Sequence, residues 1–246
     1  MRLKTFTMKT YEEFKAQVDN VDKIVESEIK AKDNAYIIND GIVDTKQYYD
    51  TTPKILWILK EPYDDLDEDN NPSGGGWSMI NDFLAKDNFF ERIGKANKTW
   101  YPIIYASYSI LNNYKPWHKE DIITKKMAEV IKKIAMINIQ KVPAYTSSDK
   151  SSIEVAYHQN RKVLIEQLKT YNPDILIGGN TLQYFRKDLG IEDKFNGIDN
   201  EYFGYCLDNS KLYIDTYHPA QRIVSQEVYV NEIITVAKEK WASQSK

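Results

Sequence analysis

Apolar side chains recur three or four apart at Tyr11, Phe14, Val18, Val21, Val25 and Ile29. That spacing predicts a helix from Thr10 to about Lys30 with one buried stripe, opened by a capping box of Thr10 and Glu13. The pattern then changes period. Ala35 to Ile38 reads as extended, closed by an Asn39-Asp40-Gly41 turn and followed by Ile42-Val43. Lys54 to Leu59, Ala135 to Ile139 and Asp174 to Ile177 are short runs that are apolar at consecutive positions. Such runs suit strands buried on both faces. They end at Lys60-Glu61-Pro62, before Pro143 and at Gly178-Gly179. Tyr202 to Leu207 and Lys211 to Thr216 read as two strands joined at Asp208-Asn209-Ser210.

Helical spacing fills the intervals. It predicts helices near Ser78 to Leu84, from Trp100 through Asn113 with Pro102 in the first turn, and from Lys119 to about Ile134. Ser151 and Glu154 cap a long helix to about Tyr171. Further helices run near Thr181 to Leu189 and from about Ser225 to Ala242. Tyr63 to Gly76 is a long polar loop with three consecutive glycines, a length that points to function or mobility. Buried strands alternating with helices predict an α/β fold of three layers, α/β/α, around a central, mainly parallel four-stranded sheet. No repeat or low-complexity linker divides the chain, so residues 1–246 are expected to form one domain, with 1–50 as an N-terminal helix and short hairpin extension.

Composition narrows the class. A hydrophobic share of 42% with 28% charged residues is that of an ordinary globular chain. No apolar run approaches the length of a membrane span, and Met1 to Thr10 has no apolar core of a secretion signal, so the expected compartment is the cytoplasm. One cysteine, Cys206, excludes an internal disulfide and a four-cysteine cluster. No cofactor, metal or obligate protein partner is implied. The net charge of −3 requires any nucleic-acid contact to come from a local patch.

In parallel sheets, ligands bind beyond the carboxyl ends of the strands. Four segments fall there: Lys60-Glu61-Pro62-Tyr63, Asn138, Gly178-Gly179-Asn180 and His218-Pro219-Ala220-Gln221-Arg222. A carboxylate, an amide, an imidazole and an arginine at one rim suit a site for a polar heterocycle.

Three of these segments carry a resemblance. Ile55-Leu56-Trp57-Ile58-Leu59-Lys60-Glu61-Pro62-Tyr63 resembles the first motif of the uracil-DNA glycosylase superfamily, an apolar strand ending in Gly-Gln-Asp-Pro-Tyr-His. Asn138, within Met136-Ile137-Asn138-Ile139-Gln140, is similar to the strand asparagine that reads the uracil edge. His218-Pro219-Ala220-Gln221-Arg222 is similar to the closing His-Pro-Ser loop. Order and spacing agree over roughly Lys54 to Arg222. The resemblance implies a DNA glycosylase of DNA repair that flips a base from DNA and hydrolyses its bond to the sugar. Glu61 would stabilise the oxocarbenium ion or align water, and His218 would hydrogen-bond the departing base. Asn138 would read the pyrimidine edge, Tyr63 would exclude a C5 methyl, and Trp77 would stack on the base. Lys60, Gln221 and Arg222 would face nucleic acid, with Arg222 in the slot of an apolar wedge.

The sequence also departs from that pattern. Glu61 replaces aspartate, Lys60 glutamine, Leu59 glycine, Asp64 histidine and Ala220 serine. Asp64, Asp65, Asp67, Glu68 and Asp69 place carboxylates where phosphates would approach. Each site residue has a plainer reading: Glu61 as a solvated strand end, His218 as a buried structural imidazole, Asn138 as a structural amide. Trp57 reads as core, and His118 and His158 as surface or packing residues. Tyr105 and Tyr108 read as helix packing, and the lysines from Lys115 to Lys133 as a solvated face. The Asp65-x-Asp67-x-Asp69 spacing fails as a calcium loop, because Asn70 stands at the turn glycine and Gly76 at the bidentate glutamate. Three functions therefore stay open: a divergent glycosylase, a non-catalytic module binding nucleobase or nucleic acid, and a hydrolase of small nucleosides.

Overall fold

Seven strands make one sheet in the computed structural model, which describes residues 10–33, 37–62, 68–69, 76, 78–93, 97–143, 150–197 and 203–245. In chain order they are β1 (Gly41–Ile42), β2 (Ile55–Leu59), β3 (Ala135–Asn138), β4 (Ile175–Gly179), β5 (Asn196–Gly197), β6 (Gly204–Asp208) and β7 (Lys211–Thr216). Their spatial order is β1-β3-β2-β4-β7-β6-β5. The four inner strands are mutually parallel. β1 runs antiparallel to β3 on one side, and β6 and β5 continue antiparallel from β7 on the other. The expected four-stranded sheet is thus corrected to a mixed one of seven. Two of the added strands are only two residues long, too short to leave a periodic signature.

The helices are α1 (Tyr11–Asp33), α2 (Thr45–Asp50), α3 (Phe89–Ile93), α4 (Asn97–Leu111), α5 (Lys125–Ala128), α6 (Lys150–Tyr171), α7 (Leu182–Leu189) and α8 (Gln226–Val236). They cover both faces of the sheet. Ile55, Trp57 and Leu59 of β2 pack with side chains of α3, α4 and α8, while Leu56 and Ile58 pack with α1, α2, α6 and α7. This explains why β2 is apolar at every position: all five residues are buried. A fully buried side chain such as Ile58 contributes roughly 1.5–3 kcal/mol relative to an exposed one.

Several expected boundaries move for local reasons. No helix forms at Lys119, because the Asp121 carboxylate accepts the His118 N–H at 3.0 Å and the Tyr105 hydroxyl at 3.0 Å. Such side-chain bonds compete with a helical turn. The helix begins only after Thr124, whose hydroxyl accepts the Met127 N–H at 3.3 Å, and it continues as a 3-10 turn, Glu129–Lys133. Pro102 is the sixth residue of α4 rather than part of its first turn. It offers no N–H to the Lys98 carbonyl, which instead lies 3.5 Å from Gln226 Nε2. α6 starts at Lys150, so Ser151 lies inside the helix and does not cap it. Of the expected N-terminal hairpin, Ala35 and Tyr36 lie outside the described residues; Asn39 bridges Ser78, and Gly41 and Ile42 join the main sheet beside β3.

The chain leaves β2 through α3, α4 and α5 to reach β3, then returns past β2 through α6 to β4. The two crossovers lie on opposite faces. β2 and β4 are therefore the neighbours at which the winding reverses, where α/β sheets open a crevice beyond their carboxyl ends.

Candidate functional site

One row of residues crosses the carboxyl ends of the four parallel strands. Asn138 pairs in register with Leu59, Ile58 with Gly178, and Gly179 with Thr216. The row Asn138, Leu59, Gly179, Thr216 closes the carboxyl rim. Asn138, Leu59 and Thr216 stand two residues beyond Met136, Trp57 and Ile214, so they lie on the face covered by α4 and α8. Gly179 holds this row flat. A Cβ there would lie 3.1 Å from Pro219 Cδ, 3.2 Å from Leu59 Cδ2 and 3.5 Å from His218 Cα. The segment after β7 thus folds directly over the ends of β4 and β2. Three hydrogen bonds fix the surroundings: Thr181 Oγ1 to the Ile58 carbonyl at 2.8 Å, Tyr229 hydroxyl to the Tyr217 carbonyl at 2.8 Å, and Gln140 N–H to the Lys60 carbonyl at 2.9 Å.

His218 sits in this fold-over with its protonation defined by its neighbours. The Ala220 N–H donates to its Nδ1 at 3.2 Å, so a neutral ring carries its proton on Nε2. Burial, and then the nearby Lys60 ammonium, push its pKa down to about 4. At neutral pH the ring is therefore an uncharged donor. Nε2 has no hydrogen-bond partner among the described residues.

Glu61, two residues beyond Leu59, is buried, with 8% exposure. Asn138 is 2% exposed, and on the same row Thr216 Oγ1 is buried without a hydrogen-bond partner among the described residues. A buried polar atom left open in this way is costly unless something else fills it. Lys60 is half-buried and its charge reaches His218. Tyr63, Trp77 and most of the acidic loop lie outside the described residues.

One expectation at the closing loop is revised. Gln221 does not present its carboxamide outward. Its Oε1 accepts the N–H groups of Ile223 and Val224 at 2.5 and 2.9 Å, and its Nε2 donates to the Val224 carbonyl at 3.0 Å. The side chain braces its own turn. That turn exposes Arg222 and also Ile223, which is 66% exposed. Ile223 gave no signal in the sequence, because an isoleucine is ordinarily read as core.

The plainer readings hold elsewhere. Trp57 is fully buried with Nε1 donating to Ser107 Oγ at 3.0 Å. Tyr105 stacks on Trp117 at 5.2 Å. His118 and His158 are exposed, and Lys125 and Lys132 pair with Glu91 and Glu129 on the surface. Three cavities are lined by described residues. One of about 350 Å³ lies beside the segment Gln140 to Val142 that follows β3, against α1 and the first half of α6, one of about 540 Å³ along α8, and one of about 260 Å³ at the opposite end of β4 and β7. Among the described residues no cluster of histidine, cysteine or carboxylates is arranged to hold a metal ion, and no helix is long and apolar enough to cross a membrane.

Compared with known proteins, the chain matches no family model and no curated protein.

Proposed function

We propose that the chain is a DNA glycosylase that hydrolyses the N-glycosidic bond of uracil or a related base flipped out of DNA, on a uracil-DNA glycosylase-like variant of the α/β/α plan. The observation that carries this reading is His218: a half-buried neutral imidazole, its Nδ1 tied to a backbone N–H, in the segment folded over the rim row that also holds the buried Asn138.

That pair suits a leaving base. As the bond from the sugar carbon to the base nitrogen breaks, its electrons move into the ring and charge collects on the carbonyl oxygens. A fixed Nε2–H donor stabilises that charge without giving up its proton. The Lys60 ammonium adds to the same field. The Asn138 carboxamide offers one donor and one acceptor, the complement of a pyrimidine edge. The Glu61 carboxylate faces the positive charge that develops on the sugar, or takes a proton from the water that attacks it. Ile223, held outward by the Gln221 brace, supplies an apolar wedge for the gap left by a flipped base. By the resemblance, Tyr63 would close the pocket to a C5 methyl and Trp77 would stack on the ring.

The second reading is a binding module without catalysis. It is favoured by the carboxylates at Asp64, Asp65, Asp67, Glu68 and Asp69, which oppose the phosphate contacts that dominate DNA affinity. One assay separates the two. Single- and double-stranded oligonucleotides carrying uracil, hypoxanthine or a mismatch are incubated with the protein, and abasic sites are then cleaved with alkali. The glycosylase releases base, and Glu61→Gln and His218→Ala each lower the rate by roughly 10²–10⁴-fold. Binding with no base release supports the module. Release from free nucleosides alone would assign a small-molecule hydrolase.

A further inference from the structure

The most deeply buried charges in the described chain stand directly behind the rim row. The side chains of Asp40 and Lys141 are 0% and 1% exposed. Lys141 Nζ lies 2.8 Å from both Asp40 oxygens and 2.8 Å from Gln167 Oε1. Gln167 Nε2 returns to Asp40 Oδ1 at 3.1 Å and reaches the Tyr171 hydroxyl at 3.4 Å. That hydroxyl donates to Asp22 Oδ1 at 3.0 Å. Gly41 is part of the same construction: at φ +136° it passes so close to Tyr171 that a Cβ would lie 2.5 Å from the hydroxyl.

Burying an ion pair is a poor way to gain stability, since apolar side chains of similar volume often serve as well or better. The pair makes sense through what else Asp40 does. Its Oδ2 accepts the backbone N–H of Asn138 at 2.7 Å. β1 stops pairing with β3 at Gly41 and Met136, so the carboxylate occupies the place of the missing strand neighbour. The following residues are held as well. Asn160 Nδ2 donates to the Ile139 carbonyl at 3.0 Å, and the Ile38 N–H donates to the Lys141 carbonyl at 2.8 Å. On its other side Asn138 is in register with Leu59 of β2.

We propose that Asp40 and Lys141 are positioning residues that fix the end of β3 so that the Asn138 carboxamide meets a base edge in one orientation, an inference that rests on the reaction proposed above. Asp40 supplies a charge-assisted bond, shorter and more directional than a neutral one. Lys141 compensates the buried carboxylate. Neither residue touches the base.

The test uses the full-length ¹⁵N-labelled chain and the variant Asp40→Asn/Lys141→Met, which removes both charges together. In the wild type the Asn138 backbone proton resonates downfield and its carboxamide shows one conformation. In the folded double variant the backbone proton moves upfield and the carboxamide signals average. In the base-release assay kcat falls by about 10- to 100-fold, as expected when a reading group is misplaced by about an ångström, while KM for DNA is unchanged. A merely structural role would lower thermal stability and leave kcat of the folded protein intact. Unchanged Asn138 resonances, or a wild-type kcat, would overturn the proposal. If the wild type releases no base from any oligonucleotide, the reaction itself fails, and the Asn138 resonances still decide the positioning. Should the double variant not fold, Asp40→Glu keeps both charges but displaces the carboxylate. The same upfield shift and loss of kcat are then expected, and wild-type behaviour would again overturn the proposal.

Discussion

His218 is a neutral donor because its surroundings penalise the charged ring, and that penalty is itself measurable. Its folded-state pKa of about 4 lies below the ordinary histidine value of 6.5. In the window between the two values the unfolded chain binds the proton and the folded chain does not. Stability from this residue is therefore complete above pH 6.5, falls as the pH is lowered and is lost by about pH 4. The amount is roughly 2–3 kcal/mol. Denaturant unfolding of wild type and His218→Ala at pH 7.5, 5.5 and 4 should show the wild type losing that much more than the variant on acidification. Parallel curves would mean that the imidazole is not held neutral. Single residues were unevenly legible in the sequence. The types at Glu61, Asn138 and His218 suggested chemistry before any geometry was known. The bracing role of Gln221, the exposure of Ile223 and the burial of Lys141 did not show, because each depends on partners that spacing along the chain cannot name.

At the scale of elements, the turn between β4 and α7 controls how closely the rim can close. Leu182 packs on the backbone of Gly178, where an added Cβ would lie 2.5 Å from Leu182 Cβ and 2.8 Å from its N. Gly178→Ala must push α7 away from β4. The expected loss is about 1–3 kcal/mol, a fall of several degrees in Tm that a thermal melt would detect. An unchanged Tm would contradict the packing described. The same turn shows why the inner strands were legible: Ile175 to Gly179 is buried throughout, so burial on both faces leaves an unbroken apolar run. The segment from Lys119 to Thr124 misled because its apolar positions fit a helical stripe while Asp121 bonds to His118 and Tyr105 instead. β5 escaped notice because two residues carry no period, while β1 was legible only as the extended Ile42 of an expected hairpin, without its place in the main sheet.

For the whole molecule, topology brings distant segments together at the rim. Asn138, Leu59, Gly179 and the loop after Thr216 come from four separate strands, and they meet because the winding reverses between β2 and β4. α6, α7 and α8 follow β3, β4 and β7, so their amino ends lie toward the same rim, where helix dipoles favour anions. The rule that ligands sit beyond strand ends made the rim legible from sequence alone. The order of the strands, which fixes who neighbours whom, did not follow from it. The account therefore stands or falls on where a flipped base goes. The direct measurement is a ¹H–¹⁵N NMR titration of the labelled chain with a duplex carrying 2′-fluoro-2′-deoxyuridine, whose fluorine slows bond cleavage by destabilising positive charge on the sugar. The account predicts that Glu61, Asn138 and His218 shift together at one midpoint, with Gly179 and Ile223 beside them. Perturbations confined to the opposite end of the sheet or to the cavity along α8, or none at these three residues under saturating duplex, would contradict it.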